Sequence, residues 1–108
     1  MSYFERVHSE DRPDGFTIVL SIAEEDHAPD WDMTEEEKAD LLDQIERGVM
    51  LWFCAKVEAK KAGVTLGVDY LGGCCYQSIG DFTKDGYYCG MVAQAMTEAL
   101  KTIEELTA

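Results

Sequence analysis

The segment VMLWFCAKVEAKKAGVTLGVDYL, residues 49–71, decides the fold, because its first half reads in two ways. Val49 to Phe53 is apolar on consecutive positions and rich in strand formers, the pattern of backbone covered on both sides. Further on, Lys56, Glu58 and Lys60 alternate with Val57 and Ala59, so residues 50–60 are expected to form a central strand that becomes amphipathic toward its end. The rival reading is a helix, since AKVEAKKAG consists of good helix formers and ends in glycine. Lys61-Ala62-Gly63 then reads as a hairpin loop, and Val64, Leu66, Val68 and Tyr70 alternate with Thr65, Gly67, Asp69 and Leu71 in a returning strand that Gly72-Gly73 stops.

Working toward the N-terminus, residues 24–46 (EEDHAPDWDMTEEEKADLLDQIE) begin as a loop and continue as a helix. Thr34-x-x-Glu37 has the form of a capping box, and Glu35, Glu36 and Glu37 occupy a first turn where the helix dipole favours negative charge. At 100° per residue Leu41, Leu42, Ile45 and Val49 gather on one side, with Glu36, Asp40, Asp43 and Arg47 opposite. The expectation is a helix that buries the first face against the core, shows an acidic ridge on the second, and ends at Gly48 in the left-handed conformation. Before it, Phe16, Ile18, Leu20 and Ile22 alternate with Thr17, Val19, Ser21 and Ala23, the period of a strand with one dry face. Residues 1–14 are expected to precede the domain proper as a flexible segment, closed by the turn Arg12-Pro13-Asp14-Gly15.

Toward the C-terminus, Cys74 to Asp85 reads as irregular, with a short helical turn at Asp81 to Lys84 and a break at Asp85-Gly86. A helix follows from about Tyr87 to Leu106, with Tyr88, Met91, Val92, Ala95, Met96, Ala99, Ile103 and Leu106 on one stripe and Gln94, Glu98, Lys101 and Glu105 opposite. The order β-α-β-β-α predicts an α+β fold in one domain over residues 1–108, a three-stranded, mainly antiparallel sheet packed on one face by two helices. A chain of this length buries roughly 65% of its unfolded surface, enough for one core and too little for two.

With 22 acidic against 9 basic residues the net charge is −13, which repels nucleic acids and anionic membranes and favours a basic partner. The hydrophobic content of 46% is that of a folded chain, so the acid does not signal disorder. The start MSYFERVHSEDRP has no signal-peptide pattern, and no apolar run nears the roughly 18 residues needed to cross a bilayer. A cytoplasmic location is the expectation. Cys54, Cys74, Cys75 and Cys89 then read as free thiols, with no zinc spacing among them.

No motif names a reaction. Asp30-x-Asp32-x-Thr34 begins like a calcium loop, but its sixth position is Glu35 instead of glycine and its twelfth is Leu41 instead of a bidentate glutamate. His8 and His27 lie far apart, and the cysteines have no base at a readable spacing. The glycines form neither GxGxxG nor a P-loop. Neither an enzyme nor a cofactor or metal site is expected. The aromatics Tyr70, Tyr76, Phe82, Tyr87 and Tyr88 read first as core, with a partner-binding patch as the alternative.

What stands out is density of charge. Eleven acids between Glu24 and Glu46 face one base, Lys38, so −10 of the net −13 has one address. Carboxylates on adjacent helical turns recur roughly every 5–6 Å, comparable to phosphates along a DNA strand. Glu24, Glu25, Asp26, Asp30, Trp31, Asp32, Glu35, Glu36, Asp40 and Asp43 are therefore the candidate partner-binding residues, and the partner a basic, nucleic-acid-binding protein.

In size and acidity the chain resembles the small phage-encoded inhibitors of bacterial defence, the anti-CRISPR and anti-restriction proteins, several of which are DNA mimics. Tyr70-Leu-Gly-Gly-Cys-Cys-Tyr76, followed by Asp81-Phe82 and Asp85-Gly-Tyr-Tyr88, also looks like a pattern of small phage and mobile-element proteins. The resemblance implies a CRISPR effector complex such as Cascade as target, its DNA- or PAM-binding channel receiving the acidic face. The alternative is an accessory or regulatory module that binds through the Trp31 loop and the aromatic C-terminal half.

Overall fold

The computed structural model describes residues 4–25, 29 and 32–107. Alternating side chains and turn residues set out a hairpin first, β1 (Glu5–Asp11) and β2 (Thr17–Glu24), then the helix α1 (Glu35–Glu46), a second hairpin, β3 (Leu51–Lys61) and β4 (Val64–Tyr76), and the helices α2 (Ile79–Lys84) and α3 (Gly86–Thr107). The strands form one antiparallel sheet in the order β1-β2-β3-β4. The architecture is α+β, with residues 50–60 resolved in favour of the strand, whose burial alternates with period 2 from Phe53 to Ala59.

The expectation of three strands and two helices is corrected in three places, a fourth strand, a longer β4 and a third helix. Residues 5–11 are no flexible lead-in but an edge strand, paired with β2 from Glu5↔Ile22 to Asp11↔Thr17 around a bulge between Arg6 and His8. ERVHSED lacks apolar alternation because an edge strand has little to bury, and charges along it discourage pairing with a further chain. Arg12-Pro13-Asp14-Gly15 is thus the hairpin turn itself, with Arg12 N–H donating to Phe16 O at 2.7 Å and the Asp14 carboxylate accepting from Phe16 N–H at 3.2 Å. Gly15, at φ +88°, takes the left-handed position.

The second correction concerns Gly72-Gly73, which does not stop β4. The pairing runs on from Ala55↔Leu71 to Phe53↔Cys74 and Leu51↔Tyr76 across a bulge, with Gly73 at φ +68°, so the glycines bend the strand and do not end it. The expected helical turn at Asp81–Lys84 is a separate third helix, opened at Ser78, whose Oγ accepts from Asp81 N–H at 3.1 Å.

The core lies between the sheet and α2 with α3. Ile18 and Leu20 of β2, Ala55, Val57 and Ala59 of β3, Phe82 of α2, and Ala95 and Ala99 of α3 are all fully buried. The α3 stripe holds at Tyr88, Met91, Ala95 and Ala99, with Val92, Met96 and Ile103 packed beside them, but Leu106 is 74% exposed because the last turn runs past the core. Helix and sheet touch backbone to backbone at Gly67, where a Cβ would lie 2.0 Å from the Ala95 carbonyl oxygen. Only glycine opposite alanines permits that approach.

Candidate protein-interaction surface

The acidic helix forms as its sequence directs. Thr34 Oγ1 accepts from Glu37 N–H and donates to Glu37 Oε1, both at 3.1 Å, so the Thr34 side chain caps the helix and the Glu37 carboxylate folds back onto its hydroxyl. At the other end Gly48 is left-handed at φ +77°, its N–H donating to Ile45 O at 3.1 Å while Val49 N–H reaches Gln44 O at 2.9 Å. Local sequence therefore defines α1 completely.

Its packing departs from expectation. No residue of α1 is buried, Leu42 is 39% and Val49 48% exposed, and Leu41 and Ile45 are only partly covered. The expected anchoring of Leu41, Leu42 and Ile45 in the core does not occur. The core is already complete with α2 and α3 on its one covered face, and α1 stands at the end of the sheet between β2 and β3. There Ile45 and Gly48 border a groove with Ile22, Ala23, Trp52 and Phe53. The molecule is accordingly elongated, 55 × 27 × 22 Å with a radius of gyration of 16.0 Å, against about 13 Å for a compact chain of this length.

The candidate residues divide by position. Glu35, Glu36, Asp40 and Asp43 come together, all exposed on α1. Within this set Asp43 is paired, its Oδ2 3.0 Å from the Arg47 guanidinium one turn on, an exposed contact of small energetic weight. Glu35, Glu36 and Asp40 make no ion pair among the described residues. Glu24, at the end of β2, and Asp32 are exposed as well. Glu25 has a structural role instead: its carboxylate accepts from Gly73 N–H, and a Cβ at Gly72 would come within 3.2 Å of the same oxygen. The loop is thereby tied to the β4 bulge. Asp26, Asp30 and Trp31 lie outside the described residues.

The sheet face that carries no helix holds, beside Tyr70, residues the sequence did not single out. Cross-strand partners share a face, so Arg6↔Ser21↔Lys56↔Tyr70 and Thr17↔Lys60 place Arg6, Lys56, Lys60 and Tyr70 there. Phe4 and Tyr70, from opposite edges of the sheet, approach to 6.0 Å between ring centroids, with Lys56 Nζ 5.4 Å and 6.0 Å from the two rings. Beneath them Val19, Ser21 and Ala23 are buried without any helix above. The signal for this cluster is the sheet register, which no local reading of Phe4, Lys56 and Tyr70 supplies.

On the covered side, Tyr76 Oη donates to Asp85 Oδ2 at 2.8 Å; burial, then this carboxylate, pushes the Tyr76 pKa up to about 12. Burial likewise raises Cys74 and Tyr88 to about 12, with Cys54 and Glu10 as the next causes respectively. A thiol held protonated in this way is a packing group and a poor nucleophile. None of the four cysteines is in a disulfide, and no group of three or more His, Cys, Asp or Glu stands ready to hold a metal among the described residues. No helix among them is long and apolar enough to cross a membrane. No protein-family model, no characterised protein and no solved structure matches this chain.

Proposed function

We propose that this protein is a non-catalytic inhibitor that binds a basic, nucleic-acid-handling protein through α1, the carboxylates of the helix standing where phosphates would stand. The observation that carries this reading is the exposure of α1: a helix whose ridge of Glu36, Asp40 and Asp43 is open to solvent and none of whose residues is buried in the core. Such a rod is about 10–12 Å across with its side chains and can enter a cleft shaped for a nucleic-acid strand. In its most specific form the target is a CRISPR effector complex such as Cascade, at its DNA- or PAM-binding site, and inhibition is competitive with DNA.

The test is competition for DNA by a purified effector with wild-type protein and with the triple variant E36K/D40K/D43K. The wild type should displace DNA, with affinity falling steeply as salt rises, and the variant should lose on the order of a hundredfold while its circular dichroism is unchanged. A triple variant that still inhibits fully sinks the reading. The accessory-module alternative has its own support in Tyr70 and Tyr87, 55% and 63% exposed on the C-terminal half. An interaction that survives high salt and fails on Tyr87→Ala favours it.

A further inference from the structure

We infer that the outer edge of β4 takes an extended, basic segment of a partner protein as a fifth strand, in the groove between β4 and the first turns of α3. The two edges of the sheet are unequally guarded. β1 carries four charged residues in seven and a bulge, features that discourage a further strand. β4 is 13 residues long, holds a single charge, Asp69, and pairs on one side only, with β3. Such an edge offers backbone donors and acceptors to an extended peptide. At the bulge the Gly73 N–H is already held by Glu25, so the added ladder runs first along Asp69 to Gly72.

The chain leaves room there. A cavity of about 460 Å³ between β4 and α3 is lined by the apolar Leu71 and Met91, the acids Asp69 and Asp85, Tyr87, and two glycines of α3, Gly86 and Gly90. Leu71 and Tyr87 also line a second cavity of about 310 Å³ together with Gly72 to Tyr76. The groove therefore follows the strand from Asp69 to Tyr76, seven steps of about 3.3 Å. Neither Gly86 nor Gly90 lies at positive φ, and a Cβ at either meets nothing within 4 Å. Glycine inside a helix is less stable than alanine, and the chain's own packing gives no reason for it at Gly90. What it keeps open is space beside the strand edge.

Strand period and charge choose the occupant. Asp69 and Leu71 lie opposite Val57 and Ala55, on the covered side, whereas Val68 and Tyr70 lie opposite Glu58 and Lys56, on the helix-free side. An added strand puts every second side chain into the groove. A lysine or arginine there lays its aliphatic stem on Leu71 and Met91 and its charge beside Asp69 and Asp85, with Tyr87, 63% exposed, offering its ring. Asp69 is half-buried and has no hydrogen bond or ion pair among the described residues. Asp85 accepts from Tyr76 Oη through Oδ2 at 2.8 Å and only distantly from Tyr87 N–H through Oδ1, at 3.5 Å. No Lys or Arg lines either cavity; Lys84, next to Asp85, is exposed outside them. The intervening residues of the segment, beside Val68 and Tyr70, are apolar. A second β4 would instead set carboxylates where a cation fits, between two molecules of net charge −13. The site does not involve α1 and stands apart from the inhibitor reading, and it gives Tyr87 a defined ligand.

The test is fluorescence anisotropy of the full chain at physiological salt with three kinds of labelled peptide. One is a peptide of about seven residues alternating lysine and valine, the next its counterpart with glutamate for lysine, and the last the lysine peptide N-methylated on alternate amides, in either phase. The chain should bind the lysine peptide, and the glutamate peptide at least about tenfold more weakly. N-methylation in one of the two phases should cost a similar factor, because it removes the ladder donors. Gly90→Leu fills the groove from an open position and should weaken binding at least about tenfold, with a thermal melt unchanged or raised. E36K/D40K/D43K should stay within about threefold of the wild type, since salt screens the distant ridge. No binding of the lysine peptide up to millimolar concentration overturns the proposal. So does binding that neither N-methylation nor Gly90→Leu weakens, which is attraction to the acidic surface at large. Loss in E36K/D40K/D43K with Gly90→Leu unaffected puts the peptide on α1 and overturns it too. A wild type that sediments as a dimer, dissociated by Gly90→Leu, gives the edge to a second copy and excludes the partner segment.

Discussion

The two helices of greatest length in this protein differ in what holds them. α3 lies on β4 so closely that Gly67 meets Ala95 and Ala99 with no room for a methyl group, and four of its residues are buried. α1 is equally well formed, capped at both ends, yet none of its residues is buried. Good local sequence is therefore enough to write a helix but not to give it a place. The difference separates the part of the chain that makes the fold from the part that is displayed by it.

The sharpest way to test that division is to damage each side. Phe82→Ala removes a fully buried ring that meets Phe53, Tyr76 and Tyr88 edge-on at 5.4, 5.0 and 6.0 Å. It should cost about 3–5 kcal/mol in urea unfolding. Gly67→Ala places a Cβ against helix backbone, which cannot rotate away, and should cost about 2–3 kcal/mol; larger side chains there should prevent folding. If either substitution leaves the midpoint unchanged, the account of the core is wrong.

The buried hydroxyls and thiol predict a loss of stability at high pH, and the sign follows from their raised pKa values. Cys74, Tyr76 and Tyr88 ionise at about 9 or 10 when unfolded but near 12 in the fold. Between those values the unfolded chain binds fewer protons than the native one, so stability is intact below pH 9 and falls as pH rises toward 12. Melting temperature measured across that range should decline, less steeply in Cys74→Ala.

Smaller effects belong to α1. Thr34→Ala removes the N-cap and should cost the helix about 1 kcal/mol. Because α1 is not part of the core, that loss should appear as faster amide exchange in residues 35–46 with little change in the global midpoint. Equal protection of α1 and α3 in dilute wild-type protein would show that the two helices belong to one cooperative unit after all.

Much of this was legible in the sequence because it is local. The period-2 run of Phe16 to Ala23, the Lys61-Ala62-Gly63 turn, the Thr34–Glu37 cap and the stripe from Tyr88 to Ile103 each carry their signal within a few residues. β1 was not legible: Glu5 to Asp11 become a strand only because Thr17 to Glu24 offer a free edge. Nor could Gly72-Gly73 be told from a strand terminator without Phe53 and Leu51 opposite to continue the ladder. In the candidate surface, the ridge of Glu36, Asp40 and Asp43 followed from helical spacing, whereas the diversion of Glu25 to Gly73 N–H joins residues 48 positions apart.

By itself, then, the sequence determined the caps, the turns, the side-chain periods and the concentration of acid in one stretch, since these depend on neighbours along the chain. Tertiary structure alone decided which strands pair at the edges, which face of the sheet is covered, and that the apolar stripe of α1 finds no place in its own core. Those outcomes depend on competition among distant segments for a limited buried surface, and α2 and α3 occupy it.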